Sequence, residues 1–300
     1  FRLRRQCAAL VDEHDGHRFI VMEYLVGQTL RDRMATPVSE AEAVRIALAV
    51  AGALVVVVVG AVVVWPRGAT PTDETRVRED FEARTNESAG PDGAAGTPPP
   101  GIYRFDTSGS EELKLGVLPT ETRPYPETIS ATVVDADPGC FTMTLHLLEQ
   151  HSEDSTYCVG DDGTISLAGH EKHQQVGPMN PTADMTCDPD VLAKPADGSV
   201  PLNCELTLDG GPKQLTATLK GTSRSKRPVT VDLGDGTPVE ATEVDLDFAV
   251  TGDLTGTWRE RLWFADDALP VRIARDLELE GLASFTEHRD CTLVGLTPED

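Results

Sequence analysis

Basic residues are in short supply in this chain. Over 300 residues, 26 Lys and Arg stand against 50 Asp and Glu, a formal net charge of −24. So acidic a surface repels the phosphates of nucleic acid and of anionic headgroups, so neither is expected as a partner. Residues 1–45 contain no lysine, and their seven Arg balance seven Asp and Glu, so the deficit lies beyond them. A Gly-x-Ser-x-Gly elbow is also missing, and Ser110 in "SGSEE" has no implied base, so serine hydrolase chemistry is not expected. The chain starts at Phe1 rather than Met, as expected of a processed product or a piece of a longer reading frame.

What is present begins with a run of apolar residues. Ile46 to Trp65, "IALAVAGALVVVVVGAVVVW", holds no charge. About 20 such residues are what a helix needs to cross roughly 30 Å of hydrocarbon. The valines favour strand in water. In lipid, a lone strand leaves its backbone groups unpaired, so the expectation is a transmembrane helix with Trp65 at the interface and Pro66 ending it. Arginines flank both sides, but cysteines do not: Cys7 precedes the run, and Cys140, Cys158, Cys187, Cys204 and Cys291 follow it. Clustered cysteines suit an oxidising compartment. The expected arrangement is a single-pass protein of the cell membrane, N-terminus cytoplasmic and C-terminal domain extracytoplasmic.

Before the span, "LVDEHDGHRFIVMEYL" is two apolar runs joined by Asp15-Gly16, a hairpin signal. "GQTLRDRM" follows, and Ser39 with Glu42 has capping-box spacing ahead of a helical apolar period. Over about residues 8–54, and most specifically in "FIVMEYLVGQTLRDRM", this order resembles the middle of a bacterial receptor-type Ser/Thr protein kinase. The resemblance implies an adenine hinge, with Met22 as gatekeeper, the backbone of Glu23 and Leu25 facing adenine, and Gly27 turning the chain. The glycine-rich loop, strand lysine, catalytic loop and magnesium-binding motif of that family are absent, and "HRD" at His288–Asp290 lacks the Asn four residues on. Phosphoryl transfer needs those groups, so the expectation is a vestigial hinge and no kinase activity, as after an internal deletion. No cofactor is expected.

Residues 66–100 are rich in Pro, Gly, Ala and charge and read as a disordered linker, with a transient charged helix over 73–85. Asn86-Glu87-Ser88 fits a glycosylation triplet, to which no modification is assigned.

Residues 101–300 alternate with period two over 141–147, 215–219, 244–250 and 271–279, Arg275 being the one polar break in the last face. Asp-Gly pairs at 162–163, 209–210 and 235–236 punctuate these runs. About ten to twelve strands are expected, and the fold class is mainly β: an antiparallel barrel, half-barrel or sandwich. "GTWRERLWFADDALPVRIARDLELEG" resembles the late hairpin of periplasmic lipoprotein-carrier half-barrels, which implies a concave face for an acyl chain.

Five outer cysteines allow fifteen ways to form two bridges. Nearest-neighbour pairing gives Cys140–Cys158 and Cys187–Cys204, each worth about 3 kcal/mol, and leaves Cys291 as a buried free thiol or as a partner thiol in a dimer. His170 and His173 in "HEKHQQ" are the best metal candidates, against two solvated loop histidines. "GDDGT" at 160–164 lacks the ligand spacing of a calcium loop and reads as a turn. Together these features suggest the sensory or ligand-binding domain of a receptor kinase-like chain without its catalytic lobe, facing an extracellular ligand or protein. The rivals are an anchored carrier for an apolar ligand and a cell-envelope interaction module.

Overall fold

The computed structural model describes residues 9–14, 17–22, 69–87, 96–115, 119–176, 179–194, 198–211, 213–281 and 283–299. The chain divides into two units, residues 1–64 and 65–300. In the first, β1 (Ala9–His14) and β2 (His17–Met22) form an antiparallel hairpin with Ala9 opposite Met22 and His14 opposite His17. Met22 ends β2; the other hinge residues, Glu23 and Leu25, and the expected span 46–65 lie outside the described residues. Among the described residues no helix is long and apolar enough to cross a membrane.

The second unit contains twelve strands that close on themselves. In chain order they are β3 (Gly101–Leu115), β5 (Thr128–Asp135), β6 (Cys140–Leu148), β7 (His151–Val159), β8 (Ile165–Gln174), β9 (Thr182–Cys187), β11 (Gly198–Asp209), β12 (Leu215–Ser225), β14 (Pro238–Gly252), β15 (Thr255–Phe264), β16 (Pro270–Glu280) and β17 (Ala283–Leu293). Around the barrel the order is β8-β7-β6-β5-β3-β17-β16-β15-β14-β12-β11-β9, and β9 pairs back onto β8, His170 opposite Met185 through His173 opposite Thr182. Three short strands add to it: β4 (Glu121–Pro124) on β3, β10 (Val191–Ala193) on β8, and β13 (Val229–Asp232) on β14. The expected antiparallel barrel is what forms, with nearly all links being hairpins. Gly163, Gly210 and Gly236 of the three Asp-Gly pairs sit at positive φ, 77°, 81° and 83°, which glycine adopts without a Cβ clash.

A round barrel of twelve strands would leave a channel, but here opposite walls touch. Tyr157 of β7 meets Phe264 of β15 edge-on at 5.5 Å, and His170 of β8 meets Trp258 of β15 likewise at 5.5 Å. Lys172 of β8 reaches Glu287 of β17 at 2.8 Å. Inward residues of the alternating runs, such as Phe141, Met143, Leu145 and Leu147, fill the space between.

Both expected disulfides are formed, each across a register pair: Cys140 with Cys158 between β6 and β7, and Cys187 with Cys204 between β9 and β11. Cys140 and Cys158 alternate with inward Phe141 and Tyr157, so their bridge lies outside the wall, whereas Cys204 shares the inward face with Leu202 and Leu206. Cys291 is free and buried.

Within the expected tether 66–100, the stretch read as a transient helix over 73–85 is regular structure. Glu74–Glu87 is a helix, α1, laid on the outer face of β5. Asp73 caps it, its Oδ1 accepting from Thr75 N at 2.8 Å, and Asp73 N donates to Glu149 Oε1. Arg84 donates from Nε to Asp80 one turn back and from Nη1 to Asp154 of β7 at 2.8 Å. Val77 is 2% exposed, and the outward-facing Thr132, Thr144 and His146 are buried too. Composition missed this order because one valine and a few specific ion pairs dock the helix, and neither raises its mean hydropathy.

Candidate functional site

Polar groups fill the end of the lumen where β7 begins. Glu111 (β3), Arg123 (β4), His151 and Glu153 (β7), Lys172 and Gln174 (β8), Glu260 (β15), Arg275 (β16), and Glu287 and Arg289 (β17) are all buried. They reach one another because most stand on inward positions of walls that face each other across the flattened barrel. A β-bulge delivers two of them: between Thr156 and Tyr157 the β7–β8 register skips one residue, so Leu167 and Ile165 face inward before it and His170, Lys172 and Gln174 after it.

Glu153 is the hub. Its carboxylate accepts from Arg275 Nη1 at 2.7 and 2.8 Å, from Arg289 Nη2 at 2.6 Å and from Lys172 Nζ at 3.2 Å. Burial opposes its charge, but Arg275, Arg289 and Lys172 outweigh burial and hold its carboxyl well below the usual range. Glu287 accepts from Lys172 at 2.8 Å and lies 3.2 Å from Arg289 Nη1. It too is opposed by burial, and Lys172 and Arg289 bring its carboxyl down to about 2. Glu260 accepts from Arg275 Nε and Nη2 at 3.0 and 2.7 Å, and from Trp258 Nε1 at 3.2 Å.

Glu111 closes the other side. It accepts from Arg123 Nη1 at 3.1 Å and Gln174 Nε2 at 2.9 Å, and its Oε2 lies 2.7 Å from His151 Nδ1. The opposite ring nitrogen of His151 lies 3.0 Å from Glu153 Oε1. Both ring nitrogens of His151 thus face carboxylate oxygens, and the ring bridges Glu111 and Glu153. Four glutamates thus meet Arg123, Lys172, Arg275 and Arg289 inside the wall.

His151, Glu153 and Glu287 offer ligand atoms within 4.8 Å of one another. A metal ion there would face Lys172, Arg275 and Arg289, which already hold these carboxylates, so the chain's own cations occupy the place of one. Its lysine and carboxylates are buried and engaged with one another, and these contacts hold facing walls together. Beside it a cavity of about 20 Å³, lined by Ser155, His170, Trp258 and Arg275 among others, has room for one water molecule. Burial lowers His170 to about 4, which keeps the ring neutral, with Nδ1 2.9 Å from Ser155 Oγ. Burial also raises the Cys291 thiol to about 11, far from thiolate chemistry at neutral pH.

The expected metal pair is not brought together. His170 and His173 both lie on strand β8 rather than in a loop, and an odd separation on a strand points them to opposite faces. His170 enters the lumen; His173 stays outside, half exposed. The "HRD" stretch lies on β17, with Arg289 in the network and His288 outside bonded to Asp276 at 2.7 Å. "GDDGT" is a turn, with Asp162 Oδ1 accepting from Thr164 N.

The outer wall of β12 and β14–β16 is charged in alternating sign, Arg224 opposite Asp245, Asp245 opposite Arg261, Asp247 opposite Arg259, and Arg259 opposite Asp276. Charge on that face is costly against lipid tails, so this barrel wall is built to stand in water. Among the described residues, Val229 and Leu296 are the large hydrophobics that are exposed. Sequence reasoning missed the lumen network; the break in alternation at Arg275 was its one visible trace. No protein family, curated protein or solved structure matches this chain.

Proposed function

We propose that residues 101–299 act as the extracytoplasmic recognition domain of a single-pass, receptor kinase-like chain, and that recognition takes place on the outer wall of the barrel. The observation that carries this reading is the pair of disulfides, Cys140–Cys158 and Cys187–Cys204. Cytosolic thiols are kept reduced, whereas such bridges persist outside the cytoplasm. A lumen closed by wall-to-wall ion pairs supports the second half of the proposal. A ligand pocket for a drug-sized molecule takes roughly 300–1,000 Å³, whereas the cavity between these walls is about 20 Å³. The carrier reading therefore ranks below recognition of a polar ligand or protein. A face of paired arginines and aspartates with little exposed apolar surface suits a polar partner. No phosphoryl transfer is assigned to the chain, because the kinase resemblance stops before the groups that perform it.

The test is topology in intact cells expressing the full chain. A membrane-impermeant maleimide is expected to label the outer cysteines only after an impermeant reductant has opened them, and an added protease is expected to release the barrel. Protection of the barrel until lysis, with all four thiols free, would overturn the reading. Organic extraction of the purified chain is expected to yield no stoichiometric lipid; one equivalent per chain would restore the carrier.

A further inference from the structure

Outside the barrel, where β8 meets β9 to close it, the strands carry an unusual row of groups. Asp154 on β7 stands opposite Glu171 on β8, and Glu171 stands opposite Asp184 on β9. Like charges directly opposed across strands destabilise a sheet. Arg84 of α1 offsets part of this by donating to Asp154 Oδ2 at 2.8 Å. It leaves Asp154 Oδ1 buried and without a hydrogen-bond partner. His173, two residues along the same face from Glu171, brings Nε2 to 2.6 Å from Glu171 Oε1, and its Nδ1 lies 3.2 Å from Thr182 Oγ1.

We propose that Asp154, Glu171 and His173, flanked by Asp184, form a binding site for a divalent cation of the zinc class. Ligand atoms from the first three lie within 4.8 Å of one another, so side-chain rotations suffice to converge them on one ion. One imidazole with two or three carboxylates is a donor set that zinc takes, and magnesium, which keeps to oxygen, does not favour it. Thr182 Oγ1 supplies the outer partner: accepting from Nδ1–H, it selects the tautomer that presents the Nε2 lone pair to the metal. The ion offsets the facing carboxylates, and it ties β7, β8 and β9 together at the seam. An open groove of about 380 Å³ beside Asp154, Glu171 and Asp184 gives access from solvent.

The experiment is calorimetric titration of ZnSO₄ into the full chain in detergent micelles, stripped with a chelator, disulfides intact, at pH 7.5. One site per chain is expected, weakened at least tenfold in Glu171→Gln and in His173→Gln. His288→Gln, which alters a similar exposed His–Asp pair on β17, is expected to bind as the parent does, and MgCl₂ is expected to give no site. Zinc is also expected to raise the melting temperature of the parent and of His288→Gln but not of His173→Gln, whose melting point without metal reports that it is folded. Absence of a stoichiometric site, or a site that His173→Gln leaves intact, overturns the proposal.

Discussion

The two ends of the lumen hold the same walls together by different means. Where β7 begins, Glu153, Glu287, Arg275 and Arg289 join the walls by charge; where it ends, Tyr157, Phe264, Phe141 and Leu262 join them by apolar packing. Apolar contacts are non-directional and survive small shifts of register or shape. The ion pairs do not: a slip of two residues along β17 would bring Arg289 to the place of Glu287 and set it against Lys172. One half supplies burial and the other penalises alternative pairings, a division of labour that a twelve-strand antiparallel sheet with many equivalent registers can use.

The sharpest way to break that comparison is Glu153→Gln. It removes the carboxylate that Arg275, Arg289 and Lys172 share inside the barrel, and removal of one member of a buried ionic set costs about 3–5 kcal/mol. Urea unfolding should show that loss as a lower midpoint. Leu219→Ala, at a fully buried apolar site on β12, should cost somewhat less, about 3 kcal/mol, through the cavity it leaves. Equal tolerance at both sites would erase the distinction.

Acid probes the charged half, alongside outer carboxylates such as Asp235 and Asp253. Folded Glu287 holds its proton off until about 2, whereas its reference value is 4.5. The unfolded chain therefore takes up the proton first. Stability from this group is whole above pH 4.5 and is lost as pH falls through 2, by on the order of 3 kcal/mol. The urea midpoint should drop between pH 6 and pH 2.5, and a flat profile would place Glu287 outside the network. The smallest effect belongs to the outer wall: Arg259→Ala breaks an exposed pair with Asp247 and should shift stability by no more than about 0.5 kcal/mol. A larger loss there would mean that the outer charges, too, are structural.

The same contrast explains what the sequence makes legible. The runs at 141–147, 215–219, 244–250 and 271–279 alternate cleanly, and each lies in a barrel strand, β6, β12, β14 and β16. Nearest-neighbour cysteines pair because each couple flanks a short connection between hydrogen-bonded strands. Apart from the polar break at Arg275, the charged half leaves no such trace. "HSEDSTY" and "TEHRD" are polar on both faces, so nothing in them separates inward Glu153 or Arg289 from outward Asp154 or His288. At β8 the bulge beside Gly169 reverses which residues face inward, and it sends His170 into the lumen and His173 to the surface. Helix α1 hides for a related reason: its docking depends on partners more than sixty residues away, Glu149 and Asp154.

The pairing of β9 back onto β8 has a consequence for crowding. An open sheet presents a row of free amides and carbonyls on which another copy can be templated, and such borders seed fibrils. Here the cycle of twelve strands leaves no border of its own, and β10 lies along the part of β8 that β9 does not reach. Barrels held at high density can therefore touch through their charged flanks without these twelve strands templating one another.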